Sequence, residues 1–578
     1  MSARTAGTCC RAPAATERLP AAALRAKRAL SARQRSPLRS ALMLFAVAVG
    51  GAAPARSVEA ALPSTPVTRS QETFSSLGQG LWDRDEAGFA AAGLLRTRLE
   101  ALSNLDLDHG VGPSGQPLFP SPLADGSDPL LTHADMRLRL DLAAFAPRGL
   151  VTVRGRLDVL DNLALGGAPA GPPTASIGQR PPAAPLTLRR LWAEALLPFG
   201  VLAAGRMGSH WGLGLLTHGG DCHDCDRGDA ADRVALAVPA LGLVWAIAYD
   251  FTAIGPTQPR PNGSATLDLD PADDVRTWTF AAIHALGPEI RARRHGAGRT
   301  TLEGGVFASH RRQALDVPRH WLEQEGVVAA DSTPLDPGQV VQRDATATAF
   351  DLWLRLQRRT LRVEVEAAVL SGRIGQASLL PGVELRDPVE SLQWAVALES
   401  RYGVELDGLS FGVDGGAASG DPAPGFGVRQ PIAGATPLPG DLDGAQASPP
   451  RDRRLDNFRL HPDARIDRLL FREIIGTVTD AAWVRPHLRW ARTWHGGDTC
   501  VVADFAAVAS WALQPNSTPS GARRLGVELD PTLSLTLRGL LIEWQTALLL
   551  PGAAFDNAFT GATAQTAWMS RLFLGFAF

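Results

Sequence analysis

From residue 95 to the C-terminus the chain keeps returning to one pattern, an apolar side chain followed by a polar or charged one. Leu95, Thr97, Leu99, Ala101, Leu105 and Leu107 alternate with Arg96, Arg98, Glu100, Asn104, Asp106 and Asp108. Met136, Leu138, Leu140 and Leu142 alternate with Asp135, Arg137, Arg139 and Asp141, and Val151, Val153, Leu157 and Val159 with Thr152, Arg154, Arg156 and Asp158. Phe350, Leu352, Leu354 and Leu356 enclose Asp351, Trp353 and Arg355, while Leu361, Val363 and Val365 enclose Arg362 and Glu364. Period-two alternation puts successive side chains on opposite faces of a strand. Soluble strands usually run five or six residues, and a tilted bilayer crossing takes about nine to eleven. The runs here reach that length. Their polar faces carry charges of both signs, which a wet lumen tolerates and a sandwich core does not.

The connections alternate as well. Ala146–Gly149, Pro198–Gly200 and Gln357–Arg359 are short, whereas 109–130, 161–185, 207–232, 252–274, 315–345, 371–390 and 414–462 are long and rich in Gly, Pro, Asp and Ser. Short turns at one end and long loops at the other predict an all-β fold: a transmembrane, antiparallel up-and-down β-barrel of about 16–18 strands with long extracellular loops. Residues 234–249 are uncharged and mimic a membrane helix, but Pro239 and Gly242 at the centre predict a hairpin. Residues 464–475 would disturb the up-down parity as a strand. Ile466, Leu469, Leu470 and Ile474 follow a spacing of three to four, which predicts helix or part of a long 414–480 loop. At the C-terminus Phe578, Phe576, Leu574 and Leu572 share one parity. They predict a lipid-facing closing strand, and the ending resembles the terminal signal of bacterial outer-membrane barrels, which implies recognition by the barrel-assembly machinery. The last strand then pairs with the first, because an open edge in lipid costs several kcal/mol per unpaired group.

The N-terminus changes the picture of the whole chain. Basic residues up to Arg39, the uncharged run ALMLFAVAVGGAA and the small residues after it predict a signal peptide over 1–60 with a long basic n-region, then a linker over 61–92 and the barrel over 93–578. Removing 1–60 takes ten of the 57 Lys/Arg and two of the 59 Asp/Glu, which leaves a net charge of −10. That disfavours nucleic acid as a partner. It leaves outer-membrane lipid and lipopolysaccharide, with small solutes as cargo. No G-x-S-x-G elbow marks a nucleophile, and no enzyme is expected. Trp192, Trp245, Trp394, Trp544 and Trp568 suit membrane-interface girdles.

Candidate chemistry gathers in two places. Arg96, Arg98, Arg137, Arg139, Arg154, Arg156, Arg362, Glu364 and Glu366 are expected to line the lumen, either setting ion selectivity or pairing to stiffen the wall. The stretch GRMGSHWGLGLLTHGGDCHDCDRGDAADR over 205–233 is the second. In an oxidising compartment Cys222 and Cys225 are expected to bridge each other. HGGD recurs at 218–221 and 495–498, the first expected on the outer side and the second in a periplasmic turn, so Cys500 is expected out of their reach. Asp221, Asp224, Asp226 and Asp229 offer oxygens for Ca²⁺ in the 219–232 loop. Cys222, Cys225 and His223 with His210 or His218 offer a Zn²⁺ set lacking a second CxxC. The alternative is a disulfide-pinned acidic loop that binds no metal.

The block just quoted, together with RIDRLLFREIIGTVTDAAWVRPHLRW, GVELDPTLS and the terminal Phe, resembles uncharacterised outer-membrane proteins of myxobacteria and related delta-proteobacteria. The resemblance covers most of 90–578 and implies an outer-membrane barrel without an assigned activity. GRM…WGLG is more faintly similar to a strand-loop junction of alginate-export and porin-type barrels. The expectation is a porin-like channel, monomeric or trimeric, with a charged lumen. The alternative is a non-conducting surface component: a receptor, an adhesin or part of a motility or secretion machine.

Overall fold

The computed structural model describes residues 74, 76–78, 87–119, 130–147, 150–166, 186–317 (apart from 256, 261, 264 and 269) and 340–578 (apart from 379, 430–437, 445 and 448–451). The expected signal peptide, with Cys9 and Cys10, and most of the expected linker lie outside the described residues. Twenty strands follow in chain order: β1 (Gly88–Ser103), β2 (Leu130–Phe145), β3 (Val151–Ala164), β4 (Leu186–Leu197), β5 (Gly200–Gly208), β6 (Ala230–Ala240), β7 (Leu243–Ala253), β8 (Thr257–Pro259), β9 (Thr266–Asp268), β10 (Val275–His284), β11 (Thr301–Gln313), β12 (Ala345–Arg358), β13 (Leu361–Ile374), β14 (Val389–Gly403), β15 (Gly408–Ala418), β16 (Ala481–Trp494), β17 (Thr499–Ala512), β18 (Arg524–Leu537), β19 (Leu540–Pro551) and β20 (Ala567–Ala577). β8 and β9 form a hairpin of their own, and the others make an 18-stranded antiparallel sheet.

That sheet closes on itself. β20 pairs with β1 from Leu94 opposite Ala577 to Ser103 opposite Trp568. At the seam Gly93 and Phe578 exchange backbone hydrogen bonds of 2.9 and 3.0 Å. The Phe578 ring lies over Gly93, where a Cβ would come within 2.3 Å of the ring. A side chain at 93 would therefore push the last residue off the closing strand.

Orientation follows from exposure. Phe350, Leu352 and Leu354 are 62, 45 and 44 % exposed, while Asp351, Trp353 and Arg355 between them are 3, 6 and 8 % exposed. The apolar parity faces out and the charged parity faces in, as the alternation predicts. Leu, Val, Phe and Trp are exposed on strand after strand. This exceeds any apolar patch a water-soluble monomer leaves open, and it is the surface a bilayer covers. Trp394, Trp544 and Trp568 join it, but Trp192 does not. The β3–β4 register slips between Arg156 opposite Arg190 and Leu157 opposite Leu188. The extra residue in β4 lets Leu188 and Leu191 both face out and turns Trp192 inward onto Glu194, 2.8 Å away.

The hairpin expected in 234–249 is β6–β7. Its turn residues Leu241 and Gly242 have φ of 56° and 77°, the positive pair that a two-residue hairpin matching strand twist needs. Other boundaries move. β1 starts at Gly88, and it stops at Ser103 because Asn104, Leu107 and Asp108 take positive φ. Leu105 and Leu107 then bury in the barrel mouth instead of continuing the strand. The loop expected over 414–480 begins only after Ala418. Within it 464–475 adds no strand, and Leu470–Ile475 is a single π-helical turn. A helix not foreseen in the sequence, α1 (Pro288–Gly296), sits at the short-turn end between β10 and β11.

Candidate functional site

The loops after β5 and β15 fold into the barrel. Residues 211–226 cross the lumen from wall to wall. On one side Trp211 Nε1 donates to Asp351 of β12 at 3.0 Å. The backbone N–H groups of Leu213, Gly214 and Leu215 all donate to the carboxylate of Glu366 on β13. Gly212 makes this approach possible: its φ is +52°, and a Cβ there would sit 2.5 Å from Glu366 Oε2. The loop after β15 repeats the device, with Arg468, Leu469 and Leu470 donating N–H groups to Glu528 of β18 at 2.8, 2.9 and 3.0 Å.

On the other side the aspartates of the loop meet the arginines of β1–β4. Asp221 accepts from Arg190 at 2.9 Å and from Arg156. Asp224 pairs with Arg98 at 3.3 Å, and with Arg465 and Arg472 of the second loop at 2.7 and 2.5 Å. Asp226 takes Arg96 and Arg98 at 2.9 Å and Arg137 at 3.2 Å. Loop carbonyls take further donors: Gly220 from Arg139 at 2.8 Å, His223 from Arg96 at 3.0 Å and Cys225 from Arg137 at 2.9 Å. Burial opposes charge on Asp224, but Arg472, Arg465 and Arg571 outweigh it and hold the carboxyl well below the usual range. Asp226 is lowered in the same way by Arg96, Arg98 and Arg137 against its burial. Burial also opposes charge on His223, yet Glu543 at 3.3 Å prevails and raises its pKa.

The expected lumen arginines are therefore inside, and most of them are engaged by the plugging loop. Arg139 also pairs with Asp158 at 2.8 Å and Arg154 with Glu194 at 3.4 Å, while Arg362 is held by Glu364. Cys222 and Cys225 are disulfide-bonded, their Cα atoms 5.1 Å apart. Cys500 lies in β17, opposite Thr493, beside the HGGD turn at the other end of the barrel.

The calcium expectation meets a different arrangement. Asp221, Asp224 and Asp226 are taken up by wall and loop arginines, with Arg98 shared between Asp224 and Asp226, and Asp229 accepts from the His218 N–H at 3.2 Å and lies 3.5 Å from His461. The zinc set does not assemble either. The two sulfurs bond each other, and Nδ1 of His210 and of His218 accepts the N–H of Gly219 and Gly220 at 3.2 and 3.0 Å. His461 Nδ1 accepts from Asp463 at 3.1 Å. Each ring thus keeps its proton on Nε2, the nitrogen a metal would need bare.

Beside the plug, along β4–β7 and β10–β12, lies a cavity of about 720 Å³ lined by Arg206, Asp232, Arg233, Asp250, Thr277 and Arg311 among others. A segment preceding β1 packs next to it. Phe74 is 3 % exposed, its ring 5.2 Å from the Arg233 guanidinium, and it clusters with Trp211, Phe307 and Trp353. Gly78 N–H donates to Glu194 at 3.0 Å. Sequence reasoning missed Phe74 and Glu528, and it placed Glu366 on the lumen wall without the N–H groups that it gathers. The one legible signal was the excess of arginine on the inner face of β1–β3, which demanded acid from somewhere.

No family model matches the chain, and no curated protein matches it. Solved structures do. The outer membrane protein OpdK of Pseudomonas aeruginosa is 10 % identical, over 86 % of this chain and 99 % of that one, at a TM-score of 0.39. OccK9 (OpdG) of the same organism is 14 % identical over 85 and 98 %, also at 0.39. A BenF-like porin from Pseudomonas fluorescens is 10 % identical over 85 and 98 %, again at 0.39. The closed barrel stands on this chain's own strand pairing.

Proposed function

We propose that this chain is an outer-membrane channel that admits small solutes along one side of its lumen. Export through the signal peptide and insertion guided by Phe578, Phe576, Leu574 and Leu572 belong to the same reading. The observation that carries it is the polar cavity of about 720 Å³ left beside two loops that otherwise cross the barrel. An 18-stranded barrel is wide enough to hold water unless loops fill it, and here the loops fill one side. Passage then runs past Arg233, Asp250 and Arg311, so size and charge both select. Purified, refolded protein in planar bilayers should give small, discrete current steps, and Phe74→Ala should enlarge them. A folded barrel that passes no current in either form would overturn the reading.

A second reading, a non-conducting surface component, draws on one specific feature. Leu107, Leu213, Phe426, Phe458, Leu469 and Phe555, from four different loops, bury together into an apolar core in the mouth. Such a core suits a fixed display of loops. Absence of current together with an undisturbed mouth core would favour it.

A further inference from the structure

A different acidic loop carries a site. Between β7 and β10, at the long-loop end, the sequence reads LDLDPADDV over 267–275. Carboxylate oxygens of Asp268, Asp273 and Asp274 lie within 4.8 Å of one another. Asp273 is 4 % exposed, and neither of its carboxylate oxygens has a hydrogen-bond partner among the described residues. Asp274 Oδ1 is in the same condition. Such groups are rare, because a buried charge without a partner is strongly disfavoured. The nearby cations do not answer the need. Arg276 reaches only Asp274 Oδ2, at 3.3 Å. Arg343 is committed to Asp316 and to the carbonyls of Gln376 and Ser378.

The backbone is shaped around these oxygens. Asp270 turns away and accepts the N–H of Ala272 at 2.9 Å. Gly255 has no side chain just where one would collide, since a Cβ there would come within 2.2 Å of both Asp273 oxygens. We propose that Asp268, Asp273 and Asp274 form a calcium site on the outer rim of the barrel, with both Asp273 oxygens available to the ion. Hard oxygens, irregularly arranged with one solvent-exposed member, suit calcium, which accepts six to eight ligands including water. Magnesium demands a near-ideal octahedron.

The test is calorimetric titration of CaCl₂ into the refolded full chain, stripped with EDTA and exchanged into chelator-free buffer. One ion per chain is expected, with a Kd on the order of 10⁻⁴ M, the range of extracellular sites. Asp273→Asn should weaken it at least tenfold and Asp268→Asn by about threefold. Asp498→Asn, in a turn at the opposite end, should leave it unchanged. If Asp273→Asn does not fold, Asp268→Asn decides alone. Absence of binding by the wild type at 10 mM calcium would overturn the proposal. So would unchanged affinity in the Asp268 and Asp273 variants, or binding of MgCl₂ as tight as that of calcium.

Discussion

The loop between β5 and β6 and the loop between β7 and β10 are both rich in aspartate, and both rise from the same end of the barrel. In the first, Asp221, Asp224 and Asp226 swing inward and meet Arg96, Arg98, Arg137, Arg156 and Arg190 on the wall. Burial works against their charge, but the surrounding guanidinium groups lower Asp224 and Asp226 below the ordinary range. In the second, Asp273 is buried among other carboxylates, and its pKa rises to about 6. The density of acid is similar, yet the partners decide the outcome. One loop is neutralised by protein and becomes a lock across the lumen, whereas the other is left to recruit a cation.

This contrast can be pressed hardest at Asp224. Replacing it with alanine leaves Arg98, Arg465 and Arg472 without their shared counter-ion. Breaking a buried pair from one side costs roughly 3–5 kcal/mol. Asp224→Ala should keep the barrel folded, as judged by heat-dependent migration on gels, while the 211–226 loop becomes open to protease and conductance rises. Phe74→Ala comes next. Losing a buried aromatic costs about 3 kcal/mol, and its effect should appear as larger current steps with the loop still protease-resistant. Glu528→Gln keeps the shape but replaces one of the two oxygens that gather three N–H groups with an NH₂ donor. A loss of about 2 kcal/mol should be read as faster hydrogen exchange at 468–470.

The smallest effect separates the two loops by pH. Asp224 and Asp226 have lowered folded pKa values, so their contribution is present above about pH 4, the unfolded value. It is lost only as pH falls below that. Going from pH 7 to pH 5 should not weaken protection of 221–226, and His223, raised by Glu543, works in the same direction because its contribution grows as pH falls. Asp273 has the opposite sign. Its contribution is fully present below about pH 4 and is lost as pH rises through about 6. In EDTA, hydrogen exchange in 266–275 should therefore be faster at pH 7 than at pH 5, by about 1 kcal/mol or less, and calcium should slow it at pH 7.

Much of the wall was legible because period two leaves no ambiguity over 14-residue strands such as β12 and β13. Leu352 and Leu354 face out and Arg355 faces in because any other register would put arginine into lipid. The seam was legible at Phe578, although its seat over Gly93 was not. What failed was local or long-range. Trp192 turned inward because one bulge reverses parity, and bulges leave no mark in hydropathy. The plug was invisible because its contacts join residues more than a hundred positions apart, as Asp226 to Arg96 or Leu213 to Glu366. The aspartates of 221–226 were recognised as a site. Their partners were not, since a carboxylate waiting for calcium and one waiting for arginine look alike in sequence. The same blindness hid Asp273, whose lack of a partner shows only in three dimensions.

The account rests on a lumen crossed by a loop that arginines hold in place. Single-channel conductance of the wild type beside Asp224→Ala, both in the same bilayer and salt, tests that most directly. Small wild-type steps that grow several-fold in the variant are predicted. A wild type that already conducts as a wide open pore, with steps unchanged by the substitution, would contradict it.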